Sequence, residues 1–439
     1  MIKKKIFMLG ASLLASIFAS SSCTTTAISS KESKDEIAKK WDSKITIVNS
    51  WINPGFKDDK NPNSIENQFI KLLKARFKSF KDSDPITKNL PDVDFSFDVD
   101  YDKNSYFSKL ENNDKNKDIY IANYTTYINN FWQNNQFNKE FDVKLIAQTS
   151  TLKFNWQTKD SLFYVDGQDS DPLRQQAQRN NIEWVQKTNV DYPDWHKSDK
   201  LTFDGSKYSN FYQPNQLTFV YRGVIFISGD KAKRNEITKD WNDKNWEKFV
   251  KHGIIFKDKS KSGSYKYQVA LLARHFNKTI KEINEYFESG AKEIFKGTKA
   301  QDQIGKESNS FTPRIAFDDE GVYNWTKNKK DSNLFKTSKY QENKPYDDNN
   351  NDVVRVLIAT NPAPYDVAIG RSGLSNKQVE LLTKTLNSLS IEENLYGKYT
   401  GYNKFYALNL DNFEKFIKLQ VQAETKLDLI KEIEEPKND

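Results

Sequence analysis

Two segments of this chain decide its predicted fold, and the first reads LTFVYRGVIFI over residues 217–227. This long apolar run predicts one unbroken strand that leaves a first α/β lobe and enters a second. The second segment reads NPAPYDV over residues 361–367. Its prolines lack the N–H group that a strand ladder needs, so we expect a rigid segment that crosses back. Two crossings between two lobes predict a hinged clamp that closes on a ligand.

The chain on either side of these crossings alternates between strand-like and helix-like apolar spacing, which predicts an α/β fold with a largely parallel sheet in lobe one. The predicted strands cover residues 45–51, 93–99, 119–122, 143–148, 314–317, 353–359 and 366–371. The predicted helices cover residues 64–80, 123–132, 172–184, 280–295, 376–389 and 412–433, and residues 241–256 and 265–276 begin the second α/β set. Ligands bind beyond the carboxyl ends of strands in such sheets, so we expect a ligand cleft between the lobes.

The crossings also set the predicted domain boundaries. We assign residues 41–220 to lobe one, 221–365 to lobe two and 366–439 to a return to lobe one. Residues 155–215 are polar and rich in Asp, Gln and Asn. We interpret them as an insertion that lies over the first lobe.

The first residues have the order of a secretory signal peptide. A short run of lysines precedes an uncharged apolar stretch, residues 6–19, that is too short to span a bilayer. Cys23, the only cysteine, follows where a bacterial lipoprotein carries its lipidated residue, although Ser20 stands where the cleavage motif commonly has Leu. We predict removal of residues 1–22, acylation of Cys23 (palmitate among the chains) and a lipid anchor on the extracellular face of the cell membrane. A signal peptide without lipidation is the alternative.

The segment that follows Cys23 is predicted to link the anchor to the folded part. Residues 23–40 are rich in Ser, Thr and Lys and contain little to bury, so we expect a flexible tether.

Composition argues against several classes of protein. One cysteine excludes an internal disulfide. The net charge of +7 includes the leader lysines, and the remaining lysines are scattered among acidic residues, so we expect no nucleic-acid partner. We find no phosphate-binding loop, no nucleophile elbow and no spaced pair of histidines, and we therefore predict no enzyme activity, no cofactor and no metal.

Several stretches carry a resemblance to a known family: FYVDGQDSDPL at 163–173, YRG at 221–223, IAF at 315–317 ahead of EG at 320–321, and NP at 361–362 with PYDV at 364–367. In this order they resemble the mycoplasmal extracytoplasmic thiamine-binding lipoproteins, also described as high-affinity transport system lipoproteins. That family is similar to phosphonate-type periplasmic binding proteins. The resemblance implies a two-lobed type II periplasmic-binding-protein fold, delivery to the permease of an ABC importer, and thiamine pyrophosphate or a related phosphorylated thiamine as ligand.

A diphosphate ligand would need backbone N–H groups at helix starts together with hydroxyl groups and a cation. Two loops that follow predicted strands fit this need. In lobe one they are Asn123, Tyr124, Thr125 and Thr126, and in lobe two they are Ser262, Gly263, Ser264, Tyr265 and Lys266. Tyr124 could also stack on a ring of the ligand. Ordinary helix capping is the alternative for both loops.

The thiazolium and aminopyrimidine rings of a thiamine would favour aromatic faces. The candidates are Trp51, which ends the first strand, and Tyr221 and Tyr365 on the crossings, with Trp325 after the strand at 314–317. Arg222 could bind phosphate, Asp366 could accept from the pyrimidine amine, and Asn361 joins the candidate ligand contacts. The alternatives are core packing for the rings, an ion pair for Arg222 and a turn cap for Asp366.

One acidic loop raises the possibility of calcium. Asp166, Asp169 and Asp171 lie close together around Gly167, and calcium favours carboxylate-rich loops. The spacing does not match an EF-hand, and a network of Asx turns is the alternative.

Three other functions stay open at this point. A phosphonate or phosphate-ester binding protein would use the same fold without an aromatic shelf. A surface adhesin would need no cleft, and a surface hydrolase would cleave the ligand that a binding protein holds.

Overall fold

The computed structural model describes residues 32–57, 61, 63–308, 310–342, 344 and 349–437. The predicted leader, Cys23 and the first half of the predicted tether lie outside these residues. Among the described helices, none combines the length and the apolar character needed to cross a membrane.

The strands and helices are numbered in chain order. The strands are β1 (Lys44–Asn49), β2 (Asp94–Val99), β3 (Ile119–Ala122), β4 (Trp132–Gln133), β5 (Gln136–Phe137), β6 (Lys144–Phe154), β7 (Tyr212–Thr218), β8 (Val220–Tyr221), β9 (Gly223–Gly229), β10 (Ile254–Phe256), β11 (Ile294–Lys296), β12 (Ile315–Asp319), β13 (Val353–Ala359), β14 (Ala363–Pro364), β15 (Val367–Gly370) and β16 (Lys404–Ala407). The helices are α1 (Lys34–Lys40), α2 (Ile65–Ser83), α3 (Tyr106–Glu111), α4 (Ile128–Phe131), α5 (Pro172–Gln186), α6 (Lys231–Asn242), α7 (Trp246–Lys251), α8 (Tyr267–His275), α9 (Ile280–Glu288), α10 (Ala300–Gln303), α11 (Val322–Trp325), α12 (Asn376–Asn387), α13 (Leu395–Thr400) and α14 (Leu410–Glu424).

Each lobe is built around one mixed sheet, and the two sheets share a topology. The strand orders are β2-β1-β3-β15-β6-β16 and β11-β10-β12-β9-β13. In each sheet the first three strands are parallel, and the fourth strand, β15 or β9, enters from the other lobe and runs antiparallel to its neighbours. The two-lobed α/β fold is therefore as predicted. The prediction of a largely parallel sheet is wrong, because each crossing delivers its strand from the opposite side.

The crossings pair with each other and form a short two-stranded hinge. Ala363 pairs with Tyr221, and Pro364 pairs with Val220, in antiparallel register. Our prediction that the proline segment cannot join a ladder is wrong, because Tyr365 donates its N–H to the Phe219 carbonyl and Pro364 therefore occupies a position where no N–H faces the partner strand. The prediction of one unbroken strand over 217–227 is also wrong, since the run is divided into β7, β8 and β9 at Phe219 and Arg222.

The insertion lies on lobe two, which contradicts its predicted place over lobe one. Helix α5 packs along β13, and the side-chain amide of Asn181 exchanges hydrogen bonds of 2.8 and 2.9 Å with the backbone of Val356. Trp156 and Trp184 are buried in the core of lobe two. These large rings need an apolar partner, and the core around β9 supplies it. Lobe one therefore does not include the segment from Trp156 to Phe211.

Four helix or loop predictions also differ from the structure. The end of the predicted tether forms α1, because Ser33 and Glu36 make a capping box and Ile37 is buried. The predicted helix over 123–132 is a 3₁₀ turn followed by the short α4. The predicted helix over 280–295 ends at α9, and β11 follows Gly290, whose φ is +78°. The predicted helix over 412–433 ends with α14, because the Gln422 amide oxygen accepts the N–H groups of Leu429 and Ile430 and holds the tail in an extended path.

The motif at 163–173 is anchored to lobe two through a buried histidine. His275 stacks on Trp241 with ring centroids 3.7 Å apart, and its Nδ1 lies 3.0 Å from the hydroxyl of Tyr164. Gly167 has φ +77°, and a Cβ there would lie 2.5 Å from His275 Nδ1, so the position accepts only glycine. Burial lowers the pKa of His275 to about 4.

This lowered pKa predicts a loss of stability in acid. The unfolded chain takes up a proton near pH 6.5, whereas the folded protein resists it until about pH 4, so stability falls as the pH falls between those values. Between pH 7 and pH 4.5, we expect the free energy of unfolding to fall by about 2 to 3 kcal/mol less in His275→Gln than in the wild-type protein. Urea unfolding of both proteins at the two pH values measures it. Equal pH dependence in the two proteins would show that His275 does not contribute.

Candidate functional site

The two loops predicted to bind phosphate face each other across the lobe boundary. Ser262 donates its hydroxyl to Thr125 Oγ1 at 2.7 Å, and Thr125 donates its own hydroxyl to Glu424. Glu424 also lies 3.5 Å from the ammonium group of Lys266. The structure therefore brings both predicted loops together, but in this arrangement their hydroxyl groups bind each other and a carboxylate.

Two of the predicted ligand contacts are engaged inside the protein. Tyr124 is fully buried against Phe413 and donates its hydroxyl to Gln148 Oε1 at 2.5 Å, so it has no face for a ligand ring. Arg222 is buried and donates to the carbonyl of Asp160 at 2.7 Å. The predictions that Tyr124 stacks on the ligand and that Arg222 binds phosphate are wrong, because both side chains are buried in the protein.

Two further predicted contacts also serve the fold. Tyr265 is buried and donates its hydroxyl to Asn284 Oδ1 at 2.6 Å. Asn361 is buried, and its Oδ1 accepts the backbone N–H of Tyr164 at 2.7 Å, which fixes the insertion to the second crossing. Neither side chain is oriented to meet a ligand.

The remaining members of the two loops lie nearer to water. Asn123 and Thr126 form a local pair, in which the Thr126 hydroxyl donates to Asn123 Oδ1 at 2.9 Å, and the Asn123 side chain makes no cap hydrogen bond to the turn that follows. Ser264 is half-buried in a bent turn with φ −114° and ψ 15°. Gly263 is required by a close approach, because a Cβ there would lie 1.8 Å from Asp319 Oδ1.

Asp366 forms the lobe-one side of the cleft floor, at the start of β15. Tyr402 donates its hydroxyl to Asp366 Oδ2 at 2.6 Å, and the same hydroxyl lies 3.3 Å from Asn49 Oδ1 at the carboxyl end of β1. The surrounding protein raises the pKa of Asp366 by burial, while Lys103 and Tyr402 act in the opposite direction. Burial disfavours the charged form of this carboxylate, and a cation beside it would stabilise that form.

Asp319 faces this group from lobe two, at the carboxyl end of β12. Water reaches its side chain, yet protein surrounds it on most sides, as expected for the wall of a deep cleft. Burial raises the pKa of Asp319, and the nearby Asp366 anion raises it further. Asp318 beside it shows a raised pKa from burial and from the Asp319 charge. The cleft therefore holds carboxylates from both lobes.

Two lysines that the sequence reasoning missed converge on these carboxylates. Lys103, in the 3₁₀ turn after β2, lowers the pKa of both Asp319 and Asp366, and Lys261, before the loop at 262–266, lowers that of Asp319. Burial lowers the pKa of Lys103 itself, and repulsion from Lys261 contributes to that shift. Their position was a usable signal, because Lys103 follows the carboxyl end of one strand and Asp319 ends another.

Tyrosine rings lie beside Asp366, and two of the predicted tryptophans are accessible to water. Tyr365 lies with its ring centroid 5.9 Å from Tyr221 and 5.8 Å from Tyr402. Trp51, after β1, is 49% exposed, and we find no aromatic partner for it in the described part of the chain. Trp325 is half-buried on the lobe-two side. The hydroxyl of Tyr221 already has a hydrogen-bond partner, because it lies 2.7 Å from that of Tyr267. Trp51 and Tyr365 are therefore the better placed of the predicted aromatic contacts.

The acidic loop predicted as a weak calcium candidate uses its oxygens within the protein. Asp171 Oδ2 accepts the N–H groups of Val165, Asp166 and Gly167, and its Oδ1 accepts that of Leu173. Asp169 pairs with Arg174 at 2.7 Å. The Asx-turn alternative therefore describes this loop, and its carboxylates are not arranged around a cation.

A different group of possible metal ligands occurs on lobe two. Side-chain atoms of Glu236, Asp240 and His252 lie within 4.8 Å of one another. His252 Nε2 bonds to Asp240 Oδ2 at 2.8 Å, and Glu236 pairs with Lys233. These contacts satisfy the three groups without an ion.

Two cavities of about 370 Å³ each lie outside the cleft. The first adjoins the outer side of the loop at 262–266, between Lys266 and Asn284. The second lies behind the hinge, between Phe219, Phe416 and the tail residue Ile433. The first is lined by Lys266 and Glu424, but neither cavity is lined by Lys103, Lys261, Asp319 or Asp366, so we place the candidate site in the cleft on chemical grounds.

Known proteins resemble this chain over most of its length. Residues 67–424 match the family described as extracytoplasmic thiamine-binding lipoprotein. The high affinity transport system protein p37 of Mesomycoplasma hyorhinis is 29% identical over 421 residues, which cover 95% of this chain and 98% of that protein. The protein of the same description from Mycoplasma pneumoniae is 27% identical over 278 residues, which cover 62% of this chain and 70% of that protein.

A solved structure supports the same relationship. The Mycoplasma hyorhinis protein Mh-p37, described there as a candidate thiamine pyrophosphate transporter, has a TM-score of 0.68 at 27% identity and covers 86% of this chain and 99% of that chain. The match confirms the resemblance seen in the sequence and the two-lobed type II binding-protein fold.

Proposed function

Because this chain belongs to the extracytoplasmic thiamine-binding lipoprotein family, we propose that it binds thiamine pyrophosphate, or a related phosphorylated thiamine, between its lobes. It is an extracytoplasmic solute-binding transport protein, and the proposal adds the ligand and the delivery of that ligand to the permease of an ABC importer. The protein holds and releases the ligand unchanged. Acylation of Cys23, palmitate included, anchors it to the outer face of the cell membrane.

The mixed charge of the cleft is the observation that carries this proposal. Thiamine pyrophosphate is an anion at its diphosphate end and a cation at its thiazolium ring, so it needs both kinds of partner. Lys103 and Lys261 supply positive charge from the two lobes, and Asp319 and Asp366 supply negative charge. A simple phosphate or phosphonate would use the lysines alone and would bring no cation to Asp319 and Asp366.

Each end of the ligand has a physical reason to bind. The lysines form charge-assisted contacts with phosphate oxygens, together with the N–H groups that begin the turn at Ser262–Lys266. Asp366, oriented by Tyr402, accepts from the pyrimidine amine or faces the thiazolium charge. Trp51 and Tyr365 offer ring faces, and a cation over such a face is worth roughly 0.5 to 2 kcal/mol.

Thermal unfolding with and without thiamine pyrophosphate tests the proposal. A ligand at 100 times its Kd stabilises the folded state by about 2.7 kcal/mol, which raises the Tm by a few degrees. We expect Asp366→Asn to weaken thiamine pyrophosphate binding about 10- to 100-fold, because a carboxylate contact with a charged partner is worth about 1.5 to 3 kcal/mol. Titration calorimetry measures the affinities, and Asp331→Asn on an exposed loop is the matched control.

Three outcomes would contradict the proposal. If thiamine pyrophosphate does not raise the Tm of the folded protein, phosphorylated thiamines are excluded as ligands and the adhesin alternative is favoured. Equal affinities for methylphosphonate, inorganic pyrophosphate and thiamine pyrophosphate would indicate an anion-binding protein. Release of inorganic phosphate from the ligand would indicate a hydrolase.

A further inference from the structure

Helix α14 belongs to both lobes. Phe413 and Ile417, in its first half, are buried in a core of lobe one. Gln420 and Glu424, near its end, reach lobe two, where Gln420 contacts the Tyr267 hydroxyl at 3.0 Å and Glu424 approaches Lys266. The helix therefore connects the lobes a third time, in addition to the two strands of the hinge.

Arg274, on α8 of lobe two, holds the far end of this connection. Its Nη2 donates to the carbonyls of Thr425 at 3.0 Å and Leu427 at 2.7 Å, and its Nε donates to Thr425 at 3.2 Å. Its Nη1 pairs with Asp428 at 2.7 Å. One side chain of lobe two thus binds the backbone that leaves the C-terminus of α14.

The chemistry of a helix end explains why an arginine stands there. The last turn of a helix leaves carbonyl groups without partners and carries partial negative charge, so a cation with several N–H groups is favourable. Arg274 is largely buried, with a side chain 10% exposed, whereas its partner Asp428 is 73% exposed. The backbone contacts are therefore the important part of the interaction, and the ion pair adds little because water screens it.

We propose that Arg274 is a positioning residue for the ligand cleft, which it controls by clamping the end of α14 to lobe two. The proposal rests on the cleft being the ligand site. When the lobes open about β8 and β14, a helix embedded in lobe one moves relative to Arg274 on lobe two, and the contacts of Arg274 with Thr425 and Leu427 oppose that movement. The clamp stabilises the closed arrangement, in which Ser262 and Thr125 also meet.

Loss of the clamp is expected to change ligand release more than ligand capture. A smaller closed population lowers affinity in proportion and lets the bound ligand leave faster. We expect Arg274→Gln to raise the dissociation rate of thiamine pyrophosphate about tenfold, with an association rate changed less than twofold. Arg274→Lys keeps the charge but cannot reach several carbonyls, so it should restore the rate only in part.

Stopped-flow kinetics measures these rates, and electron spin resonance between labels on the two lobes measures the closure without any ligand. Labels at Lys115→Cys and Lys248→Cys, both exposed in the parent chain, report the inter-lobe distance when Cys23 is replaced by serine. We expect Arg274→Gln to broaden the distance distribution toward longer values and Asp428→Asn to leave it unchanged.

The outcomes separate this inference from the proposed function. Unchanged distances and unchanged dissociation in a folded Arg274→Gln protein would overturn the clamp. A wild-type protein that binds no thiamine compound would overturn the proposed ligand, and the distance measurement would still decide whether Arg274 holds the lobes together. An equal loss in Arg274→Gln and Asp428→Asn would assign the effect to the ion pair and contradict the backbone clamp.

Discussion

Replacing Asp171 with alanine is expected to lower the free energy of unfolding by about 4 kcal/mol. One hydrogen bond to a charged group is worth about 1.5 to 3 kcal/mol, and the four bonds to this carboxylate contribute less than their sum because freed donors such as the Val165 N–H, in an exposed residue, can bond to water. This carboxylate is buried and accepts four backbone N–H groups, from Val165, Asp166, Gly167 and Leu173. It also begins α5, so the variant loses a helix cap. Urea unfolding with circular dichroism at neutral pH measures the loss.

Asp166→Ala is the matched control in the same loop. Asp166 is half-buried and accepts one backbone N–H, that of Gln168 at 2.9 Å, so its removal should cost about 1 kcal/mol. Equal losses in the two variants would contradict the network centred on Asp171. If calcium raises the free energy of unfolding of the wild-type protein and a chelator lowers it, the loop binds calcium and the calcium prediction is correct.

The combined replacement of Lys103 and Lys261 by alanine is expected to lower the affinity for thiamine pyrophosphate about 10²- to 10⁴-fold. A charge-assisted contact is worth about 1.5 to 3 kcal/mol, which is roughly 10- to 100-fold for each lysine. This range assumes additive losses. The two side chains come from different lobes, but they repel each other and both interact with Asp319, so comparison of the single and double variants also measures their coupling. Titration calorimetry of the single and double variants measures the affinities.

Unphosphorylated thiamine is the internal control for this experiment. It lacks the diphosphate, so its affinity should change by less than a factor of three in the same variants. Lys115→Ala, an exposed lysine of lobe one, controls for the general change in charge. If thiamine and thiamine pyrophosphate lose affinity equally, the lysines act on the ring end or on the fold and the phosphate assignment is wrong.

The local sequence was sufficient to predict strands that are buried on all sides and one helix that begins at a capping residue. The predicted strands at 119–122 and 353–359 coincide with β3 and β13, whose residues are all buried. The helix α2 begins directly after Ser64, the first residue of the helix predicted over 64–80, and Ser64 caps it by accepting the N–H of Asn67 at 3.2 Å. A short run in which nearly every residue is apolar removes its surface from water only when it is buried on all sides, so the local sequence is enough to predict its conformation.

Prediction failed where the partner of a segment lies far away in sequence. The residues after 424 have helical spacing, yet Ile430 and Ile433 pack against Val220 and Phe163 beside the hinge. Buried Lys153 then pairs with Glu435 of the tail at 2.6 Å. A helix would have placed these groups elsewhere, and the tertiary contacts outweigh a preference of a few tenths of a kcal/mol per residue.

The candidate site divides in the same way. Sequence pattern identified both turns that open onto the cleft, because a strand followed by small polar residues and a helix start is a local signal. It did not predict that Ser262 would bind Thr125, or that Lys103, Lys261, Asp319 and Asp366 would share one cleft. Those contacts exist only after the two lobes close on each other.

The sequence by itself determined the family, the two-lobed α/β fold, the two crossings and the place of most strands. The family follows from the resemblance of motifs such as YRG at 221–223 and PYDV at 364–367. The crossings and the strands follow from apolar periodicity and from proline chemistry, which act between residues near one another in the chain. Only the tertiary structure decided which polar groups serve the fold and which face the cleft. A carboxylate or guanidinium is bound by whatever donor or acceptor folding brings within 3 Å or so, and that partner is a property of the packed lobes and not of the local sequence.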